Sequence, residues 1–213
     1  TLTGTDGQDK LVGREAFDTN VVRGTVAEGT TGSSSGANQF GFTFDEAAAG
    51  VYVTQILIDL RAGTDGNAYF NTSGSGSYGP TLGSLSGISA SNVHFTAPDG
   101  SATMQISFDA GTFTSGDSLH FGVDTNNLGS NNAASFVSAG VEFTVTFSDG
   151  TTQTVVYGSD GANGATGTAS VDSSIPVAGV TLDGGAGNDV LIGTDMADTL
   201  LGGTGDDQIS GGA

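Results

Sequence analysis

Hydrophobic and polar residues alternate along the middle of the chain. In the stretch FGFTF, Phe40, Phe42 and Phe44 fall on one face of an extended segment. The stretches ATMQISF (102–108) and VEFTVTFS (141–148) keep the same period of two, with an apolar residue at every second position. This period is typical of antiparallel strands that bury one face and expose the other to water.

Three further features of this region refine the prediction. The stretch VYVTQILIDL (51–60) is apolar on both faces for most of its length, which indicates a central strand. Asp-Gly pairs at 99–100 and 149–150 separate strand pairs and predict tight hairpin turns. The nearest helix-like stretch, DEAAAG, is too short to form alone. We therefore predict an all-β chain, with an antiparallel, jelly-roll-like β-sandwich over residues 25–171.

Near the end of the chain the period changes from two to nine. The repeat units are Gly184–Ile192 (GGAGNDVLI), Gly193–Leu201 (GTDMADTLL) and Gly202–Ser210 (GGTGDDQIS), and a fourth unit begins at Gly211. Each unit has an aspartate at its sixth position and an aliphatic residue at its eighth. A flexible Gly/Asp linker is the alternative, but linkers do not keep a strict period with an aliphatic residue at constant phase.

The pattern GGxGxDxUx resembles the nonapeptide of the repeats-in-toxin (RTX) family. The resemblance implies a parallel β-roll in which successive turns alternate between two edges and Ca²⁺ lies between turns of the same edge. Asp189 and Asp207 would then line one edge and Asp198 the other. Met196 and Ala197 depart from the pattern in the middle unit. Because the tail has few apolar atoms, we expect calcium to supply the stability that burial cannot.

The N-terminus repeats the pattern less regularly, in GTDGQDKLV (4–12) and GREAFDTNV (13–21). Leu11 fits the strand position, whereas Asn20 does not, and Phe17 occupies a turn position. These segments are either degenerate RTX-like repeats or loops that contain aspartate by chance. If they are repeats, their period allows them to add to the C-terminal stack, with the sandwich inserted between.

The predicted organisation is therefore degenerate RTX-like repeats at 1–24, a ligand-binding sandwich at 25–171 and an RTX β-roll at 172–213. The expected calcium ligands belong to the turns of the two repeat regions. They are Asp6, Asp9, Asp18, Gly184, Gly185, Gly187, Asp189, Asp195, Asp198, Gly202, Gly203, Gly205 and Asp207.

The charge of the chain is strongly acidic and narrows the classes of partner. Its formal net charge is −19, with 23 acidic residues against 4 basic ones. No lysine or arginine follows Arg61. This balance disfavours nucleic acid and anionic membranes as partners. The excess of aspartate over glutamate and the absence of cysteine suit a calcium-stabilised extracellular or cell-surface protein. The RTX resemblance implies a bacterial product of type I secretion, and without a long apolar run we expect no membrane insertion.

Candidate catalytic chemistry is sparse. The chain has two histidines, His94 and His120, both on the polar phase of their strands, and neither an HExxH nor a GxSxG motif. We therefore expect no enzyme activity, and a polysaccharide lyase or hydrolase stays as an alternative.

Two polar stretches offer better candidates for recognition. YFNTSGSGSYGP contains Tyr69, Asn71 and Tyr78, and VDTNNLGSNN contains Asp124, Asn126 and Asn127. Aromatic faces and paired polar groups suit sugars, although turn residues also have this composition. The scarcity of basic residues favours a neutral glycan or a peptide as the ligand.

The sandwich segments SFDAGTFTSGDSLHFGVDTN and SAGVEFTVTFSDGTTQTVVYG resemble β-sandwich modules of secreted multidomain proteins and RTX adhesins of marine bacteria. The resemblance implies a non-catalytic binding or adhesive module. Three hypotheses follow: a calcium-dependent, lectin-like carbohydrate-binding module, a structural spacer of a large adhesin, and a polysaccharide-active enzyme.

Overall fold

The computed structural model describes residues 1–14, 16–27, 39–62, 68–73, 78–127, 130–133, 140–159 and 164–212. Its strands are β1 (Leu2–Thr3), β2 (Lys10–Val12), β3 (Ala16–Ala27), β4 (Phe40–Glu46), β5 (Val53–Asp59), β6 (Ala68–Phe70), β7 (Thr81–Ser86), β8 (Val93–Thr96), β9 (Thr103–Phe108), β10 (Ser118–Gly122), β11 (Thr125–Asn127), β12 (Ser130–Ala133), β13 (Glu142–Phe147), β14 (Thr152–Val156), β15 (Gly158–Ser159), β16 (Gly164–Ala178), β17 (Thr181–Asp183), β18 (Val190–Ile192), β19 (Thr199–Leu201) and β20 (Gln208–Ser210). A single 3₁₀ turn, Ala90–Asn92, is the helical structure of the described residues. None of their helices is long and apolar enough to cross a membrane.

The chain divides into two compact units. One consists of Thr1–Asp18 together with Ser173–Ala213, and the other is Thr19–Asp172. The domain boundary expected at residue 24 falls inside β3, which pairs with β4 from Val21 to Val26. From Ala16 onward, the N-terminal segment 13–21 is therefore a strand of a sheet and not a repeat turn.

The larger unit is built from antiparallel sheets, as the alternating pattern predicts. A six-stranded sheet has the order β15-β16-β3-β4-β10-β7, and a five-stranded sheet has the order β14-β13-β5-β9-β8. Strand β5 lies in the middle of the second sheet, as expected from its apolar faces. The Asp-Gly pairs at 99–100 and 149–150 connect β8 to β9 and β13 to β14, and both strand pairs are antiparallel.

Aromatic side chains join these two sheets into a sandwich. Phe42 of β4 packs edge-on against Phe143 of β13 with ring centroids 5.3 Å apart, and Phe44 lies 5.8 Å from Phe147. These residues belong to one continuous buried cluster. Because a fully buried Phe contributes about 1.5–3 kcal/mol, this cluster contributes substantially to the stability of the unit.

The smaller unit consists of two three-stranded parallel sheets, ordered β1-β17-β19 and β2-β18-β20. The N-terminal strands thus add to the C-terminal stack, which the shared period of nine predicts. Among its described residues, the buried core contains only Leu11, Leu182 and Leu191, with Val180 and Leu200 partly buried against them. So small a core needs another source of stability.

Candidate functional site

Three turns stack along one edge of the smaller unit. Residues 4–9, 184–189 and 202–207 each lead from a strand of the first parallel sheet to a strand of the second. The Asp9 amide donates to Asp189 Oδ1 at 2.9 Å, and the Asp189 amide donates to Asp207 Oδ1 at 2.9 Å. The three aspartates therefore form a ladder, in agreement with the expected placement of Asp189 and Asp207 on one edge.

Asp198 lies on the opposite edge, in the turn between β18 and β19. Its Oδ1 accepts a hydrogen bond from the amide of Val180 at 2.7 Å. This bond, followed by one from the Thr194 amide, lowers the pKa of the Asp198 carboxyl. The edges alternate as the nonapeptide period predicts.

The glycines of these turns leave room for oxygen atoms. A Cβ on Gly184 would lie 2.5 Å from Asp189 Oδ2, and one on Gly185 would lie 2.8 Å from the carbonyl oxygen of Thr5. Gly185 also has φ 88°, which disfavours residues with a side chain. The turns therefore bring carbonyl and carboxylate oxygens closer together than any other residue type would permit.

Asp189 carries the clearest sign of a cation-binding site. The residue is 1% exposed, and its buried Oδ2 has no hydrogen-bond partner. A buried, unpaired carboxylate oxygen is strongly unfavourable unless a cation compensates it. An open groove that Asn188, Asp189 and Asp206 help to line gives ions a route to this edge.

The donor set at this edge fits calcium. Among the described residues, no three acidic or histidine side chains converge on one point. A cation at the stacked turns would therefore combine carboxylates with backbone carbonyls, which are the hard oxygen donors that Ca²⁺ prefers.

Three other predicted aspartate ligands are exposed at the surface. Asp6 and Asp195 are exposed at the third position of their turns. Asp18 is exposed within β3, so it does not lie in a repeat turn as expected. The reason is that β3 continues into the six-stranded sheet, where Asn20 is buried and accepts a hydrogen bond from the Ala48 amide.

Stacked Gly/Asp turns between two parallel sheets define a β-roll of the calcium-binding class. The family model of the RTX calcium-binding nonapeptide repeat (4 copies) matches residues 183–213, so this segment consists of RTX repeats, and such repeats bind Ca²⁺. RTX repeats are structural calcium-binding elements. No curated protein and no solved structure matches the chain.

The residues expected to recognise a ligand come together in the larger unit. Strands β6 and β11 pair, which places Tyr69 opposite Asn126 and Ala68 opposite Asn127. The side chains of Asn126 and Asn127 lie outside the described part of the structure. The two polar stretches of the sequence thus meet on one small sheet, β12-β11-β6.

Asn71, Tyr78 and Asp124 adjoin this sheet. The Asn71 side-chain amide donates to Asp124 Oδ2 at 3.1 Å, across 53 residues of sequence. The Asn71 amide donates to the Asp124 carbonyl at 2.9 Å, and the Asp124 amide donates to the Tyr78 carbonyl at 3.1 Å. Tyr78 is 45% exposed. The three residues therefore form a connected polar cluster with an aromatic ring at the surface.

Burial raises the pKa of the Asp124 carboxyl, and the hydrogen bond from Asn71 partly opposes this shift. Asp99 anchors the neighbouring loop, because it accepts hydrogen bonds from the amides of Thr72 and Ser73 at 2.8 Å and 3.2 Å. Thr72 and Ser73, which follow Asn71, are thus held by contacts with a side chain.

The histidines contact polar neighbours at the surface. His94 Nε2 lies 3.0 Å from Asp109 Oδ1, with both side chains 54% exposed. His120 Nδ1 lies 3.1 Å from Ser84 Oγ. Both positions are on the polar phase of their strands, as the sequence indicates.

Sequence reasoning missed two residues of the roll, Thr5 and Thr194. Each is the second residue of its turn and donates to the aspartate at the sixth position. The available signal was that both turns begin with the tripeptide GTD.

Proposed function

We propose that this chain combines a calcium-stabilised RTX roll with a non-catalytic sandwich module that binds a neutral glycan, on an extracellular or cell-surface protein. The observation that carries the glycan proposal is the cluster of Asn71, Tyr78 and Asp124, held together by hydrogen bonds from distant parts of the sequence.

Calcium binding is assigned to the edge where the turns 184–189 and 202–207 stack. Asp189 and Asp207 would hold the ion with carbonyl oxygens of the adjoining turns, and the unpaired Asp189 Oδ2 supports this assignment. Bound calcium supplies positive charge that compensates the acidic turns. Because the roll core is small, this compensation stabilises the folded roll relative to the unfolded chain.

The chemistry of the cluster suits a sugar. An exposed tyrosine ring can pack against the C–H face of a pyranose, while a carboxylate and an amide bind adjacent hydroxyl groups. Arg61 is the last basic residue of the chain, so an anionic ligand would meet strong repulsion from the net charge. These features favour a neutral glycan over a polyanion.

A glycan array with the full chain, in calcium and in chelator, tests the proposal. We expect binding that Asp124→Asn weakens about tenfold or more, because hydrogen bonds to a charged acceptor are the strong ones. The matched control is Asp109→Asn, an exposed aspartate beside His94, which should leave binding unchanged. Equal loss in both variants would contradict the assignment.

The pH dependence provides a second test. The raised pKa of Asp124 means that its carboxylate is protonated at a higher pH than an ordinary aspartate. Glycan binding should therefore decrease as the pH falls, starting above the usual carboxyl range. An array without signal would favour a structural spacer of a large adhesin. A signal only for peptides would make the ligand a peptide and not a glycan. Release of products from polysaccharides would indicate an enzyme.

A further inference from the structure

The turns of the roll fall into two classes according to their second residue. In the GG turns, Gly184–Asp189 and Gly202–Asp207, this residue is glycine, and in the GT turns, Gly4–Asp9 and Gly193–Asp198, it is threonine. In both classes the sixth-position aspartate places Oδ2 under 3.0 Å from where a Cβ on the first glycine would lie. The classes share the position of the carboxylate and differ in the groups that face it.

In the GT turns, threonine donates two hydrogen bonds to the aspartate. The Thr5 amide lies 2.6 Å from Asp9 Oδ2 and its hydroxyl lies 3.0 Å from the same oxygen. The Thr194 amide lies 2.6 Å from Asp198 Oδ2 and its hydroxyl lies 2.9 Å from Oδ1. The same closure therefore occurs in two turns on opposite edges of the roll.

Each threonine hydroxyl also accepts a hydrogen bond from within its turn. The donor is the amide of the fourth residue, which is Gly7 in one turn, at 3.4 Å, and Met196 in the other, at 3.2 Å. The hydroxyl thus joins the carboxylate to the backbone on the far side of the turn. This closure also explains how Met196 is accommodated where the repeat pattern has glycine.

The GG turns lack this closure, because glycine has no hydroxyl group. Gly185 and Gly203 have φ values of 88° and 91°, in the left-handed region that threonine rarely adopts. Asp189 Oδ2 consequently remains buried without a hydrogen-bond donor. The GG turns present bare carboxylate oxygen where the GT turns present oxygen that is already hydrogen-bonded.

We propose that the second residue of each turn decides whether its aspartate binds calcium. Threonine closes the GT turns and keeps the ion from the carboxylates of Asp9 and Asp198, whereas glycine leaves Asp189 and Asp207 open to it. This inference rests on the proposed calcium site of the GG turns. It makes threonine a metal-excluding residue and gives the roll turns that are closed by hydrogen bonds and not by an ion.

The number of calcium ions bound by the full chain, measured by equilibrium dialysis, tests this inference. The matched variants are Asp198→Asn and Asp189→Asn, the same substitution at the same position of the two turn classes. We expect Asp198→Asn to keep the wild-type number and Asp189→Asn to lose at least one ion. Fewer ions in Asp198→Asn, or no loss in Asp189→Asn, would overturn the inference. A wild-type chain that binds no calcium would instead refute the proposed calcium site itself.

Hydrogen exchange of the calcium-loaded chain gives a readout that does not depend on counting ions. In the folded roll, the Thr194 amide should be protected by its hydrogen bond to Asp198, and this protection should depend on the threonine hydroxyl that also holds the carboxylate. Thr194→Val removes the hydroxyl at nearly constant volume, and we expect exchange in its turn to become about tenfold faster. Its calcium number should not fall below that of the wild type, because the closed turn holds no ion that could be lost. Unchanged exchange, or a loss of ions in this variant, would show that threonine does not close the turn.

Discussion

Leu191 is the best position at which to test how packing and calcium divide the stability of the roll. Its side chain is fully buried and lies in a cluster whose other buried members among the described residues are Leu11 and Leu182. Substitution by alanine removes transfer free energy and leaves a cavity that short strands cannot easily close. We expect Leu191→Ala to lower the free energy of unfolding by about 3 kcal/mol.

This loss can be read as a shift in the calcium requirement. A change of about 3 kcal/mol lowers the folding equilibrium constant by roughly a factor of 100. If two ions bind as the roll folds, the calcium midpoint rises about tenfold. A calcium titration followed by far-ultraviolet circular dichroism measures this midpoint directly.

Ile209 is the matched control, because it occupies the same position of its repeat as Leu191 and Leu200. Its side chain is 52% exposed, since β20 is an edge strand of its sheet. Ile209→Ala should cost about 1 kcal/mol or less and barely move the midpoint. Equal shifts in the two variants would refute the argument that the roll depends on this small core.

Three further predictions follow from individual contacts. Tyr157→Phe should raise the unfolding free energy by about 1 kcal/mol in urea titrations, because the buried Tyr157 hydroxyl has no hydrogen-bond partner, and a destabilised variant would contradict this reasoning. Arg61 lowers the pKa of the Asp59 carboxyl through side-chain hydrogen bonds. The pair therefore contributes its full stability above the ordinary carboxyl pKa, and this stability is lost as the pH falls through the lowered pKa of Asp59. Thermal melts between about pH 5 and about pH 2 should show a smaller loss in Asp59→Asn than in the wild type. Deletion of residues 1–14, which removes β1 and β2 but leaves β3, should raise the calcium midpoint, and an unchanged midpoint would show that these strands do not stabilise the roll.

The sequence by itself determined the features that depend on neighbours along the chain. The alternation of apolar and polar residues with a period of two predicted the strands whose apolar faces form the sandwich core, including Phe42 and Phe143. The Asp-Gly pairs predicted two hairpins, and the period of nine predicted that Asp189 and Asp207 share an edge. In each case the determining interaction lies within one strand, one turn or one repeat, so a local pattern is sufficient.

Only the tertiary structure decided the features that depend on distant partners. Residues 13–21 resemble a repeat locally, yet Asn20 is drawn into the larger unit by hydrogen bonds with Ala48 and with Asp149, 28 and 129 residues away. Asn71 and Asp124 become neighbours through the pairing of β6 with β11. The physical reason is that a buried polar group takes whatever partner the packed sheets bring to it, and sheet pairing is a property of the whole chain rather than of any short stretch.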